Sequence, residues 1–119
     1  MDNLEFGKQL EKRTLKFAIT IIKLSSLLPE TPEGKTVRYQ ITKAGSSIGA
    51  NYREANRSRS KADFYNKIKI CESEASETEY WLIIISSLKW ISKEKIDPIL
   101  QEVRELLAIF NSIGKHLQK

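Results

Sequence analysis

The chain offers few groups able to make or break bonds. It has one histidine, His116, and one cysteine, Cys71. An internal disulfide and a cysteine-based zinc site are therefore excluded. Carboxylates are the other candidates: Glu54, Glu72, Glu74, Glu77 and Glu79. A di-iron bundle needs Glu-x-x-His on two helices, but Ile113 stands three residues before the only histidine. The motif of all-helical ribonucleases, an arginine followed by four to six residues and then a histidine, is also missing. The nearest preceding arginine, Arg104, is twelve residues from His116. Glu72 and Glu79 are seven apart and share a helix face, which reads as a solvated acidic stripe. Glu74 and Glu77 lie among the apolar positions 70, 81 and 84 and need partners if buried. Asn51, Tyr52 and Arg53 are the candidates. Cys71 falls on an apolar stripe and is expected to be a packed thiol. His116 is placed to favour a helix C-terminus. Neither G-x-G-x-x-G nor G-x-x-x-x-G-K-[ST] occurs. Together these gaps point to a non-enzymatic protein with no metal and no cofactor.

The remaining chemistry is basic charge. The net charge is +5, with 20 Lys and Arg against 15 Asp and Glu. The base is concentrated. Residues 35–69 hold nine bases (Lys35, Arg38, Lys43, Arg53, Arg57, Arg59, Lys61, Lys67, Lys69) against Glu54 and Asp63, so this segment alone carries 9 − 2 = +7. A second group, Lys8, Lys12 and Lys16, recurs every four residues with Arg13 beside it. Such clusters are the electrostatic footprint of a phosphate-binding surface. The expected contacts are Arg53, Arg57, Arg59, Lys61 and Lys67, with Lys8, Lys12 and Lys16 as a second patch. Asn56, Ser58, Ser60 and Tyr65 could add neutral phosphate donors. No recognition-helix motif predicts base-specific readout.

These side chains must be positioned by helices. At 119 residues, 40% hydrophobic and 29% charged, the chain is the size of one domain and too apolar for disorder. Five glycines and three prolines disfavour a turn-rich β-sandwich. Apolar residues recur at steps of three and four in four segments. The stripes are Leu10, Thr14, Phe17, Ile21, Leu24, Leu28; then Val37, Ile41, Ala44, Ile48, Ala55; then Phe64, Ile68, Cys71, Ala75, Thr78, Leu82, Ile85; and last Ile96, Ile99, Val103, Leu106, Phe110, Ile113, Leu117. Thr31-Pro32 and Ser60 with Asp63 carry helix-start chemistry. Asp97-Pro98 offers another start, with Ser92 as an earlier one. Asp63 and Lys67 are spaced for a favourable ion pair. The expectation is all-α: one domain over residues 1–119, an antiparallel up-down four-helix bundle with helices at roughly 3–28, 33–57, 61–90 and 94–117.

Two features exceed what a lone bundle needs. Tyr80-Trp81-Leu82-Ile83-Ile84-Ile85 is apolar all the way round, and Phe17-Ala18-Ile19 with Ile21-Ile22 nearly so. Some of these must point outward, and Tyr80, Trp81, Ile83 and Ile84 are expected at a subunit interface. Gly45 and Gly49 inside the second helix imply close approach of another backbone, since each costs about 1 kcal/mol against alanine. The acidic start of the chain and a longest apolar run of six residues, Tyr80–Ile85, predict no signal peptide and no membrane span. A cytoplasmic location is expected.

Gln40, then Lys43-Ala44-Gly45-Ser46-Ser47-Ile48-Gly49-Ala50-Asn51-Tyr52-Arg53-Glu54-Ala55, resembles the signature of the 23S rRNA intervening-sequence proteins. Ser60 through Lys67, with Asp63 and Phe64, and then Glu74, Glu77, Thr78, Trp81 and Leu82, continue the likeness. The resemblance implies a four-helix bundle assembled as a ring-like homopentamer. It also implies kinship with the accessory variability proteins of diversity-generating retroelements, which bind nucleic acid and a reverse transcriptase through a basic surface. Many members are encoded inside insertions in the large ribosomal RNA, and an older label calls them ribosomal proteins. No catalytic residue carries over. Gln40, Ser47, Asn51, Glu54, Glu74, Glu77 and Trp81 read as structural cross-links and a helix contact. The expected partners are other copies of the chain and an RNA or DNA backbone. The alternative is a protein-interaction scaffold or an accessory factor for a reverse transcriptase.

Overall fold

The computed structural model describes residues 2–118. Four helices follow in order: α1 (Asn3–Ser25), α2 (Pro32–Ala55), α3 (Lys61–Ser87) and α4 (Lys93–Leu117). Among the described residues there is no strand. Three helices begin where a side-chain oxygen accepts a free backbone N–H. Asp2 accepts from Glu5 at 2.8 Å, Thr31 from Gly34 at 3.0 Å and Ser60 from Asp63 at 3.0 Å. Pro32 opens α2, where it loses no hydrogen bond.

The helix ends differ from the expected bounds, for local reasons. α1 stops at Ser25 rather than 28. Arg38 takes the Ser25 carbonyl at 3.1 Å and the Leu28 carbonyl at 2.8 Å, which draws the chain into the turn. α2 stops at Ala55 rather than 57, and Asn56 reaches across to Glu11 at 2.8 Å. α3 stops at Ser87 rather than 90 because Lys89 adopts a left-handed backbone with φ 57°. Trp90 N–H then closes on the Ile85 carbonyl at 3.3 Å, a Schellman-type stop. α4 begins at Lys93, one residue before the expected 94, and so takes the Ser92 start and not the one at Asp97-Pro98. Burial of Ile96 draws the extra turn onto the core. Pro98, exposed in the second turn, removes only one ladder bond there.

The helices pack in sequential order, antiparallel, into a body of 44 × 25 × 22 Å. α1–α2, α2–α3 and α3–α4 are close neighbours, whereas α1 and α4 barely meet. Arg13 bridges that open edge, with two 2.7 Å bonds to Glu102 and one of 2.7 Å to Glu105. The Glu102 bond foremost holds its guanidinium more firmly protonated than usual. The core runs the length of the body through Ile21, Ile41, Ile48, Ile68, Leu82 and Phe110, all fully buried. Tyr52 meets Phe110 edge-on at 5.6 Å. Two positions of the fourth stripe shift by one residue. Leu100 and Gly114 are buried, while Ile99 and Ile113 are only half-buried.

The α1–α2 contact is set by glycine, as the sequence implied. A Cβ on Gly45 would lie 2.8 Å from Ile21 Cγ2, and one on Gly49 would lie 3.0 Å from Thr14 Oγ1. The Thr14 hydroxyl is fully buried there and donates to the Leu10 carbonyl at 2.9 Å. Gly114 differs, since an added Cβ would meet only the flexible Lys69 Cδ at 3.6 Å. Gly45→Ala is therefore expected to destabilise by about 1–2 kcal/mol, overpacking outweighing helix propensity. Gly114→Ala is expected to stabilise by about 0.5–1 kcal/mol. Urea denaturation midpoints at constant slope would check the opposite signs.

Candidate nucleic-acid interface

The basic residues of two distant sequence regions meet at one end of the bundle. Antiparallel packing places the start of α1, the α2–α3 turn and the end of α4 together. Three contacts fix this. Asn56 donates to Glu11 at 2.8 Å, Arg53 lies 3.9 Å from Glu11, and Gln118 donates to the Tyr65 hydroxyl at 2.8 Å. Lys8, Lys12 and Arg53 line one shallow groove between α1 and α2, with Glu11 and Leu15. Arg57, Arg59 and Lys61 project from the adjoining turn and the first residue of α3, all exposed.

The expected contacts are not equivalent. Among the described residues, Lys8, Lys12, Arg57, Arg59 and Lys61 have no carboxylate within ion-pairing distance. Arg53 keeps a long contact to Glu11. Lys67 is half-buried and pairs with Glu54 at 3.0 Å rather than with Asp63. Glu54 reaches it across the α2–α3 seam, so Lys67 is partly neutralised. Lys16 is turned away from Lys8 and Lys12 and lies at the α1–α4 cleft with Arg13 and Phe17. Drift of about 40° per four residues accumulates along this row, so Lys16 ends about 80° round the helix from Lys8, because four residues exceed one 3.6-residue turn.

Two of the four neutral donors are committed elsewhere. Asn56 serves Glu11, and the Ser58 hydroxyl donates to the Ala55 carbonyl at 2.6 Å. Ser60 caps α3, and Tyr65 accepts from Gln118. Ser60 and Tyr65 only accept in these bonds, so their O–H groups stay available beside the charged side chains.

The signature residues are only partly the cross-links expected of them. Glu54 does join α2 to α3 through Lys67. Ser47 and Asn51 instead bond within α2, to the Lys43 carbonyl at 2.6 Å and the Ser47 carbonyl at 2.8 Å. Trp81 Nε1 donates to Glu77 within α3 at 3.2 Å. Gln40 and Glu74 make no side-chain hydrogen bond among those of the described residues. Arg53 faces α1 and Asn51 its own helix, so neither reaches Glu74, contrary to expectation. Desolvation first, and then the neighbouring Glu77, holds the Glu74 carboxyl above its usual pKa. Glu72 is the reverse case. Asn111 at 2.6 Å and Lys69 at 2.6 Å hold it below the usual carboxylate range. Sequence spacing alone gives no signal for the Arg13–Glu102 bridge, since its partners are 89 residues apart.

His116 is exposed in the last turn of α4. Cys71 is fully buried, and its thiol donates to the Ile48 carbonyl at 3.4 Å. Among the described residues, no group of three or more His, Cys, Asp or Glu could hold a metal ion. No helix of the described residues is long and apolar enough to cross a membrane.

Burial pushes the Cys71 thiol from its ordinary 9.0 up to about 12. Since only thiolate is alkylated, the folded chain is expected to resist iodoacetamide at pH 8 and to react once unfolded. The same shift makes stability fall above pH 9.0, where the unfolded thiol ionises and the buried one does not. A Cys71→Ala chain should lack that component in a pH series of melting curves.

Residues 8–112 match the family described as 23S rRNA-intervening sequence protein. No curated protein matches the chain. Among solved structures, a crystal structure of a protein from the S23 ribosomal protein family of Bacteroides thetaiotaomicron is similar. It is 37% identical, with a TM-score of 0.82 over 88% of this chain and 97% of that one. With the family matched over nearly its whole length and a solved relative sharing its fold, the chain belongs to the 23S rRNA-intervening sequence protein family.

Proposed function

We propose that the protein is a non-enzymatic helical bundle that binds the phosphate backbone of RNA or DNA through the basic end. The observation that supports it is the convergence of Lys8 and Lys12 with Arg57, Arg59 and Lys61, all exposed and without acidic partners among the described residues. The alternative meaning of such residues is ordinary solvated charge. One fact weighs against it here. Arg13, Arg38, Lys69 and Arg104 have partners, whereas Lys16, Lys23, Lys35, Lys43, Lys89 and Lys95 have none among the described residues and stand scattered over the bundle. The five at the basic end instead gather from α1, the α2–α3 turn and α3 onto one end of the body, 25 × 22 Å in cross-section. Such a surface reads backbone charge and not sequence.

A second reading, compatible with the first, is self-assembly, in the form of the ring-like homopentamer that the resemblance implies. Its support is Tyr80 and Ile83, which are exposed, with Trp81 and Ile84 half-exposed beside them. In an assembly each basic end would be repeated, so modest single-copy affinity would rise through multivalency.

Binding to a labelled 20-base-pair duplex and to single-stranded RNA, titrated with salt, tests the first reading. Five phosphate contacts per copy predict a log–log slope of about −4.5 on duplex, at about 0.9 per contact. Arg57→Gln with Arg59→Gln should flatten it by about 1.8, and Lys67→Gln by less than one contact's worth. Absence of binding to either ligand at ~50 mM salt would overturn it.

A further inference from the structure

We propose that the basic end takes a single strand of nucleic acid in preference to a duplex, with an unpaired base stacked on the exposed ring of Phe6. This rests on the phosphate-binding reading above and names the form of nucleic acid that the surface fits.

Phe6 stands near the start of α1, where the backbone is fixed. Its N–H donates to the Asp2 carbonyl at 3.0 Å, and the Asp2 side chain caps the helix at the Glu5 N–H. Leu10, four residues on, is buried, so Phe6 continues the core-facing stripe of α1 by one turn. Yet it is 40% exposed, and its ring pairs with no other aromatic ring among the described residues. Single exposed apolar side chains are ordinary. The place of this one singles it out. Phe6, Tyr39 and Tyr80 are the exposed aromatic residues among those described, and Phe6 alone belongs to the end that holds the α2–α3 turn.

Cations stand on both sides of the ring. Two residues turn a helix by about 200°, so Lys8 points away from the bundle axis while Phe6 points toward it. Arg57, Arg59 and Lys61 project from the turn that joins α2 to α3. The start of α1 lies against that turn, since a Cβ on Gly7 would be 3.6 Å from Asn56 Nδ2 and 3.6 Å from the Tyr52 hydroxyl. The ring therefore sits between the lysines of α1 and the cations of the turn.

The charge next to the ring is of the other sign. Asp2 and Glu5 flank Phe6, and neither forms an ion pair among the described residues. They repel phosphate but not an uncharged base. The surface is thus divided, with backbone on the cations and base on the ring. The Ser60 and Tyr65 hydroxyls, which only accept within the chain, can donate to phosphate or sugar. The guanidinium planes of Arg57 and Arg59 offer further stacking area for neighbouring bases.

A duplex fits this division poorly. Each of its base faces is covered by the next base pair, so only the phosphate contacts remain. A single strand offers both contacts, and stacking tolerates any sequence because every base has a π-face. Charge alone points the other way, since duplex DNA carries one negative charge per about 1.7 Å of axis. A preference for the single strand is therefore a sign of stacking and not of bulk charge.

The test uses the full chain and fluorescein-labelled oligo(dT) of ~20 nucleotides, alone or paired with oligo(dA), read by anisotropy at ~100 mM salt. Wild type is compared with Phe6→Ala, Phe6→Leu and Phe6→Tyr, and circular-dichroism melts check that each folds. Leucine keeps apolar bulk without a π-face, whereas tyrosine keeps the π-face. The Leu and Tyr chains carry the comparison if the Ala chain is unstable. Wild type is expected to bind the single strand at least about fivefold tighter than the duplex, the low end of what stacking one base contributes. Phe6→Ala and Phe6→Leu should each weaken single-strand binding by about fivefold or more, and Phe6→Tyr by less than about twofold. Duplex affinity and its salt slope should stay within about twofold in all three, because the phosphate contacts are untouched. Duplex binding as tight as single-strand binding, a Phe6→Leu chain that holds the single strand like wild type, or variants that weaken both ligands alike would each overturn the proposal. Any of these, with salt-dependent duplex binding by wild type, leaves the phosphate reading standing. Absence of binding to either ligand at ~50 mM salt would overturn both.

Discussion

The architecture hangs on how closely α1 lies against α2. Gly45 and Gly49 let Ile21 and Thr14 sit where a methyl group would otherwise stand. Each glycine costs helix stability, and the return is core packing: Ile21 becomes fully buried and the Thr14 hydroxyl finds its carbonyl acceptor inside its own helix. The approach also has a consequence at the surface. It brings Glu11 within reach of Asn56 and Arg53, and so aligns Lys8 and Lys12 with the α2–α3 turn. A packing constraint in the interior thereby decides which bases share a face.

The open edge between α1 and α4 shows the other side of that constraint. With α1 committed to α2, its contact with α4 is slight, and a bidentate arginine crosses the gap instead of apolar packing. Exposed ion pairs of this kind contribute little individually, on the order of 0–1 kcal/mol. Arg13 has two carboxylate partners, which favours one geometry over many. The bridge therefore sets the angle of the edge more than it stabilises the fold.

Much of the fold was legible from residue spacing because burial, at 3.6 residues per turn, leaves a direct imprint on the sequence. The stripes through Ile21, Ile48, Cys71 and Leu106 are the buried ones. Thr31-Pro32 and Ser60 were readable because capping is local chemistry. The failures are non-local or carry no residue signal. Lys89 ends α3 with a left-handed backbone at a position where neither glycine nor asparagine marks it. Of the two starts offered for α4, the one at Ser92 is used, because burying Ile96 outweighs the local preference of Asp97-Pro98. At the basic end, spacing identified the right residue types and misjudged their partners. Lys67 and Asp63 suit each other along the helix, yet Glu54 from the next helix holds the lysine.

That last point bears on how such a surface can work. A basic face is useful for phosphate only where its charge is not already satisfied by the protein. The fold sorts its cations accordingly. Arg38 is spent on the α1–α2 turn, Arg13 on the open edge, Lys67 and Lys69 on carboxylates of α2 and α3, and Arg104 on Glu79. Those bases shape the bundle. Of those left without carboxylate partners among the described residues, Lys8, Lys12, Arg57, Arg59 and Lys61 share one end, where Glu11 and Glu54 are taken up by Arg53 and Lys67. A helix terminus or tight turn therefore keeps its arginines available, whereas the same residue in mid-helix tends to be captured across a seam. The net charge of +5 is thus a poor measure of binding capacity. What counts is the set of cations that topology keeps out of reach of the chain's own carboxylates.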